Sequence, residues 1–296
     1  MMATQEDPSD LIRLRLNSAP EAARPARETR RILAMGGGGF TMPEHDQSDA
    51  LDRLVLDLTG RLCPRVCLLP TASGDESALI TRFYERFSGW PCEPSVLSLF
   101  RLGRERVDPA SQLLAQDAIY VGGGSLRNML AIWREHGVEA ILRTAWERGI
   151  VLAGLSAGAM CWFEGGVTMS GGQPAVVHGL GLLPGSFSVH TDGEAERLPV
   201  YERSVGNGSL PGGYAADDGA AVIFEGTKLG ECVVSRERAR VLRVRADGEG
   251  GVTSTPLPVR VLPNAQRERQ PAGVALQDPY GVSELRALRA GRRRWE

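Results

Sequence analysis

The chain has 296 residues, enough to bury a full core as one large domain or two modest ones. Apolar residues make up 42% and charged residues 24%, which excludes a disordered or fibrous chain. A net charge of −2 argues against a dedicated nucleic-acid or membrane-surface role, and no run of apolar residues is long enough to span a bilayer.

Residues 1–30 hold Glu6, Asp7, Asp10 and Glu21 and no apolar segment, which predicts a charged, poorly ordered leader without a secretory signal. Residues 31–35 read as a buried strand ending in Gly36-Gly37-Gly38-Gly39. A helix is expected over 46–58, with Leu51, Leu54, Val55 and Leu58 at helical spacing. Strand 66–69, helix 76–87 and strand 95–99 follow. A short helix over 109–115 opens with Asp108 as N-cap and Pro109 at its first position. Strand 118–121 stops at Gly122-Gly123-Gly124, helices cover 126–136 and 139–148, and strand 150–155 runs straight into Ser156.

Strands that are apolar throughout and alternate with helices predict an α/β fold, a mostly parallel sheet with helices on both faces. After about residue 165 the chain becomes rich in Gly and Pro. Short strands at 187–189, 221–224, 231–234 and 241–244 are expected to complete the sheet and to add C-terminal antiparallel hairpins. Without an internal repeat or a low-complexity linker, residues 31–270 read as a single domain, followed by a charged tail over 271–296.

The five cysteines (Cys63, Cys67, Cys92, Cys161, Cys232) are odd in number, widely spread and without a zinc-type set of partners. They predict reduced thiols, no metal and a cytoplasmic location.

Gly154-Leu155-Ser156-Ala157-Gly158 is a G-x-S-x-G elbow between an apolar strand and a helix-compatible segment over 159–163. A serine on so sharp a turn needs small neighbours, and the helix start offers amides to a developing oxyanion. Ser156 is therefore the candidate nucleophile. Its base comes from four histidines. His136 lies in a charged helix end, His45 has no mark of a base, and His178 precedes a Gly-rich loop. His190 ends a strand and enters a polar cluster, so it is the first choice and His178 the second. No histidine occurs after His190, which excludes the order Ser, acid, His of α/β-hydrolases. The orienting acid is expected after the histidine, in Asp217-Asp218. The Gly122-Gly123-Gly124-Ser125 turn is open to phosphate binding. The preferred reading gives Gly123 or Gly124 an oxyanion-hole role, completed by the Ala157 N–H.

Val121-Gly122-Gly123-Gly124-Ser125, Gly154-Leu155-Ser156-Ala157-Gly158-Ala159, Val189-His190 and Ala216-Asp217-Asp218-Gly219, in this order, resemble the peptidase E (aspartyl dipeptidase) family S51, which also includes cyanophycinases. The resemblance implies a fold similar to class I glutamine amidotransferases and a triad of Ser156, His190 and Asp218. The family's glycine run is commonly followed by Asn-Thr, here by Ser125-Leu126. The family arginine that grips the substrate's aspartyl carboxylate corresponds to Arg197, in a segment one residue longer (Gly193-Glu194-Ala195-Glu196-Arg197).

What the resemblance implies is a cytoplasmic serine peptidase of short peptides, including Asp-X dipeptides, without metal or cofactor. Its partner is a small peptide substrate, not nucleic acid or membrane, and homodimerisation is left open. The alternatives are a cyanophycinase-like hydrolase of β-aspartyl peptides, a non-catalytic metabolite-binding domain of the same fold, and an esterase acting on unrelated acyl substrates.

Overall fold

A computed structural model of the chain describes residues 29–41, 49–248 and 250–263. The expected leader, His45 and the charged tail lie outside them. Strands β1 (Arg31–Met35), β2 (Arg65–Leu69), β3 (Glu93–Val96), β4 (Ala118–Val121) and β5 (Val151–Leu155) pair in parallel in the spatial order β1-β5-β4-β2-β3. Helices α1 (Asp49–Asp57), α2 (Ser77–Phe87), α3 (Leu102–Glu105), α4 (Pro109–Leu114), α5 (Leu126–Glu135) and α6 (Val138–Glu147) connect or flank them.

Apart from edge strand β3, the strands are largely apolar on both sides because both sides are covered. Along β1, Leu33 and Met35 pack with Leu51 and Val55 of α1 and Phe83 and Phe87 of α2. Ile32 and Ala34 belong to a second core with Met129 and Trp133 of α5 and Ile141 and Leu142 of α6. This is the doubly covered parallel sheet that the alternation predicts. The Asp108 cap forms as expected, its carboxylate accepting from the Ser111 amide at 2.9 Å.

The second half completes the first sheet and adds antiparallel pairs, as expected, but most of its strands form a sheet of their own. After α7 (Ala157–Met160) come β6 (Phe163–Thr168), β7 (Ala175–His178), β8 (Leu183–Ser188), α8 (Arg197–Gly206) and β9 (Gly213–Ala216). Then follow β10 (Ala220–Glu225), β11 (Lys228–Val234), β12 (Val241–Ala246), β13 (Val252–Pro256) and β14 (Arg260–Val261). Only β10, β11 and β14 extend the first sheet, β10 antiparallel to β1 and β11 antiparallel to β10. The others build a separate six-stranded sheet in the order β13-β12-β9-β8-β6-β7. It includes the antiparallel pairs β6–β7, β9–β12 and β12–β13, while β6–β8 and β8–β9 are parallel.

Tyr201 and Val205 of α8 cover one face of this second sheet with Val167, Leu242 and Val244. On the other face Phe163 stacks on Phe187 at 4.9 Å and meets Phe224 of β10 edge-on at 5.6 Å, so the two sheets share a core. Among the described residues no helix is long and apolar enough to cross a membrane.

One buried acid makes the fold pH-sensitive. Asp52 of α1 is fully buried; its Oδ1 accepts from the Tyr120 hydroxyl at 2.9 Å, while Oδ2 has no partner among the described residues. Burial pushes its carboxyl up to about 8, against the opposing hydrogen bonds from Tyr120 and the Phe40 amide. An unfolded carboxylate titrates near ~4, so between there and about 8 the unfolded chain holds fewer protons than the native one. The stability associated with Asp52 is present below that window and is lost as pH rises through it. Thermal melts at several pH values should therefore show stability falling toward pH ~8 in the wild type, with the Asp52→Asn slope shallower. Identical slopes would mean that Asp52 does not carry the effect.

Candidate active site

Strand β5 delivers Ser156 to the end of the first sheet in a conformation few residues adopt, φ 54° and ψ −117°. A non-glycine residue in this region costs about 1–3 kcal/mol, tolerated only where the surroundings fix it. Here they do. The Ser156 amide donates to the Met35 carbonyl at 3.1 Å, and its own carbonyl accepts from the Ala159 and Met160 amides at 2.9 and 3.0 Å. A Cβ on Gly154 would lie 2.1 Å from the Gly158 carbonyl oxygen, and one on Gly158 would lie 2.3 Å from that of Val121. Both elbow glycines are thus demanded by close backbone approach.

His190 arrives from the second sheet, two residues beyond the end of β8, and also has a positive φ of 53°. Its Nε2 lies 2.8 Å from Ser156 Oγ and its Nδ1 2.6 Å from Asp218 Oδ1. Asp218 sits in the turn from β9 to β10, the crossing from the second sheet back to the first. The site therefore lies at the junction of the two sheets, with Ser156 from one, His190 from the other and Asp218 between.

The tandem acids diverge. Asp217 is 2% exposed and turns away into the fold, accepting from the Thr191 hydroxyl, the Arg240 amide at 2.9 Å and Arg240 Nε at 3.2 Å. Asp218 is half-buried and faces the imidazole. His178 is the exposed last residue of edge strand β7, in register with Gly165, and His136 caps the end of α5. Neither joins Ser156.

Gly123 lies against the serine: a Cβ there would be 3.3 Å from Ser156 Cβ. Gly124, at φ +136°, packs on the Ala72 carbonyl, which a Cβ would approach to 2.3 Å. Among the described residues the Gly122 amide donates to Leu69 and the Ser125 amide to Ala72, whereas the Gly123 and Gly124 amides between them have no acceptor. The Ala157 amide opens α7 and has no intrahelical acceptor.

Arg197 opens α8 but is 4% exposed. Its Nε and Nη2 bind Glu194 at 2.8 and 2.6 Å, and Nη1 donates to the Val167 carbonyl at 2.7 Å. Its guanidinium holds the loop after His190 to β6.

The first glycine run was expected only to end a strand, yet it forms the floor of the site. The Gly36 carbonyl accepts from the His190 amide at 3.3 Å, and the Gly37 carbonyl from the Gly219 amide at 3.0 Å. A Cβ on Gly37 would lie 2.0 Å from Asp218 Oδ1 and 2.7 Å from His190 Nδ1. Four consecutive glycines at a strand end are the sequence signal for such close approach.

Known proteins agree with this architecture. The model of peptidase family S51 matches residues 32–232. A Bacillus subtilis (strain 168) protein named uncharacterized peptidase YgaJ is 48% identical over 233 residues, covering 79% of this chain and 99% of the relative. The crystal structure of a peptidase from an acI-B1 Actinobacterium superposes with a TM-score of 0.57 at 18% identity, covering 78% of this chain and 95% of that one. A candidate peptidase E protein from Listeria monocytogenes EGD-e superposes with a TM-score of 0.50 at 15% identity, covering 68% of this chain and 97% of its own. The two structures share the fold, and the family match spans well over half of the chain. The chain belongs to peptidase family S51 and is a peptidase.

Proposed function

We propose that this peptidase is a serine-type exopeptidase of short peptides, Asp-X dipeptides among them, working through Ser156, His190 and Asp218. The observation that carries the reading is the imidazole held between the serine and the carboxylate, at 2.8 and 2.6 Å. Asp218 accepts the proton-bearing Nδ1, which leaves the Nε2 lone pair free to face the Ser156 hydroxyl. His190 takes the hydroxyl proton as Ser156 Oγ attacks the scissile carbonyl carbon. The oxyanion is stabilised by the Ala157 amide and by the amides of Gly123 and Gly124, which have no acceptor among the described residues. His190 then gives its proton to the leaving amine as the peptide bond breaks, leaving an acyl-Ser156 ester. Water, deprotonated by the same imidazole, hydrolyses the ester and regenerates the serine. These steps require no metal or cofactor. The five cysteines, all free thiols, suit a reducing compartment such as the cytoplasm.

The purified protein should be assayed on a panel of Asp-X dipeptides, X-Asp dipeptides and a β-aspartyl-arginine polymer, and treated with a fluorophosphonate. Release of free aspartate, together with a covalent adduct mapped to Ser156, is the expected result. Absence of an adduct from active protein would overturn the serine mechanism. Release of β-aspartyl-arginine from the polymer without Asp-X dipeptidase activity would select the cyanophycinase-like substrate instead.

Gly37 provides a separate check. A methyl at this position overlaps Asp218 Oδ1 and the His190 ring, so the pair must separate or tilt. Displacements of about 1 Å at reacting groups cost on the order of a hundredfold in rate. Gly37→Ala should therefore lower kcat by about that factor while circular dichroism stays native. A variant that keeps wild-type kcat would contradict the packing of Gly37 beneath the pair.

A further inference from the structure

Asp218 lies in a turn, outside any strand or helix, and yet its carboxylate must stay within hydrogen-bonding distance of one imidazole nitrogen. We propose that Asp192 and Arg236 form a clamp on the Asp218 backbone and act as positioning residues for the triad. This inference rests on the reading of Ser156, His190 and Asp218 given above.

The clamp is a closed circuit of hydrogen bonds. The Asp218 amide donates to Asp192 Oδ1 at 2.8 Å. The Asp218 carbonyl accepts from Arg236 Nη1 at 3.1 Å, and Arg236 Nη2 donates to Asp192 Oδ2 at 3.1 Å. The planar fork of the guanidinium is what allows one side chain to serve both acceptors. Both backbone polar groups of Asp218 are thereby held by charged partners, which fixes the peptide from which its carboxylate projects.

The circuit also joins the three segments that must keep register. Asp192 lies two residues after His190, whose carbonyl accepts from the Gly193 and Glu194 amides at 3.1 and 2.9 Å. Arg236 follows β11 and is seated by Ser235, whose amide and hydroxyl both donate to the Gly219 carbonyl, at 2.8 and 3.2 Å. The loop carrying the base is thus tied to the turn carrying the acid. Neither clamp side chain hydrogen-bonds Ser156 or the His190 ring.

A stabilising role alone explains the arrangement less well. The Arg236 and Asp192 side chains are 39% and 26% exposed, and ion pairs of that exposure contribute little to stability. The other carboxylate oxygen of Asp192 and Nη1 of Arg236 both go to the Asp218 backbone, so the geometry is directed at the acid of the triad.

The test uses the full chain and a fluorophosphonate, with no need for the natural substrate. Arg236→Ala, Asp192→Ala and the double variant are compared with the wild type for the maximal inactivation rate, the half-saturating probe concentration and the melting temperature. Each single variant should inactivate about ten- to a hundredfold more slowly at an unchanged half-saturating concentration, because the acid is loosened and the binding cleft is untouched. The double variant should be no slower than the slower single, since one circuit is broken only once. Millimolar guanidinium should restore part of the rate in Arg236→Ala and none in Asp192→Ala. If an alanine variant does not fold, Arg236→Gln and Asp192→Asn provide the same readings.

A lowered melting temperature with wild-type inactivation rates would overturn the clamp and leave an ordinary surface ion pair. Additive effects of the two single changes would overturn the circuit. Failure of the wild type itself to label at Ser156 would sink the triad reading, a result distinguishable from both.

Discussion

Ser156→Ala should fold like the wild type and lose roughly 10⁶ in kcat, the scale seen when a triad nucleophile is removed. The fold is expected to survive because nothing structural depends on the hydroxyl. Its hydrogen-bond partner is Nε2 of His190, a half-buried residue whose ring water can reach after the change. The strained backbone is retained too. Alanine has the same Cβ, so the φ of 54° stays fixed by the Met35, Ala159 and Met160 hydrogen bonds. On the proposed mechanism, what is lost is the nucleophile alone. The residual rate over water should come from the amides of Gly123, Gly124 and Ala157 and from substrate binding. Initial rates on the best peptide of the panel, with fluorophosphonate labelling alongside, measure the effect. A variant that keeps more than about 1% of wild-type kcat would show that Ser156 is not the nucleophile.

The strand–helix alternation of the first half is legible because its central strands, β1, β2, β4 and β5, are largely apolar runs covered on both faces, whereas edge strand β3 (Glu93–Val96) is not. Ser156 is legible for a related reason: its elbow requires glycines at fixed offsets, and the close approaches at Gly154 and Gly158 leave them no substitute. Of the second sheet only the segments at 187–189 and 241–244 are legible as strands, and much of the rest is hidden by the same physical cause acting in reverse. A Cβ on Gly166 of β6 would lie 2.4 Å from the Phe187 carbonyl oxygen, and one on Gly213 of β9 would lie 1.9 Å from that of Ser186. These strands approach one another so closely that they need glycine, the residue that erases a strand's propensity signal. Helix α8 is hidden by Pro199 and by a weak apolar stripe, because only Tyr201, Val205 and their neighbours face the second sheet. Arg197 shows the limit of reading a role from position. Its place after the histidine suits a substrate-binding cation, but its burial and its bonds to Glu194 and Val167 are tertiary facts that spacing does not encode.

The two adjacent acids separate catalysis from folding in a single pair of variants. Asp218→Asn keeps the size of the side chain but removes the charge that orients the Nδ1–H and stabilises the imidazolium formed as Ser156 attacks. An amide nitrogen facing Nδ1 would favour the opposite tautomer, with the proton on Nε2 and no lone pair for the serine. A loss of roughly 10⁴ in kcat is expected, with little change in melting temperature because Asp218 is half-buried and solvent can replace its bonds. Asp217→Asn should behave in the opposite way. Asp217 is 2% exposed and accepts from Thr191 and twice from Arg240, so the amide leaves one acceptor site replaced by a buried donor. A cost of about 1–3 kcal/mol in stability follows, read as a lower melting temperature, while kcat of the folded protein stays within about tenfold of wild type. Both acids lie in the turn from β9 to β10, where the change of chain direction gives two identical side chains such different surroundings. If Asp217→Asn were the inactive variant and Asp218→Asn the active one, the acid of the triad would be misassigned, and the hydrogen bond from Nδ1 to Asp218 would then serve structure alone.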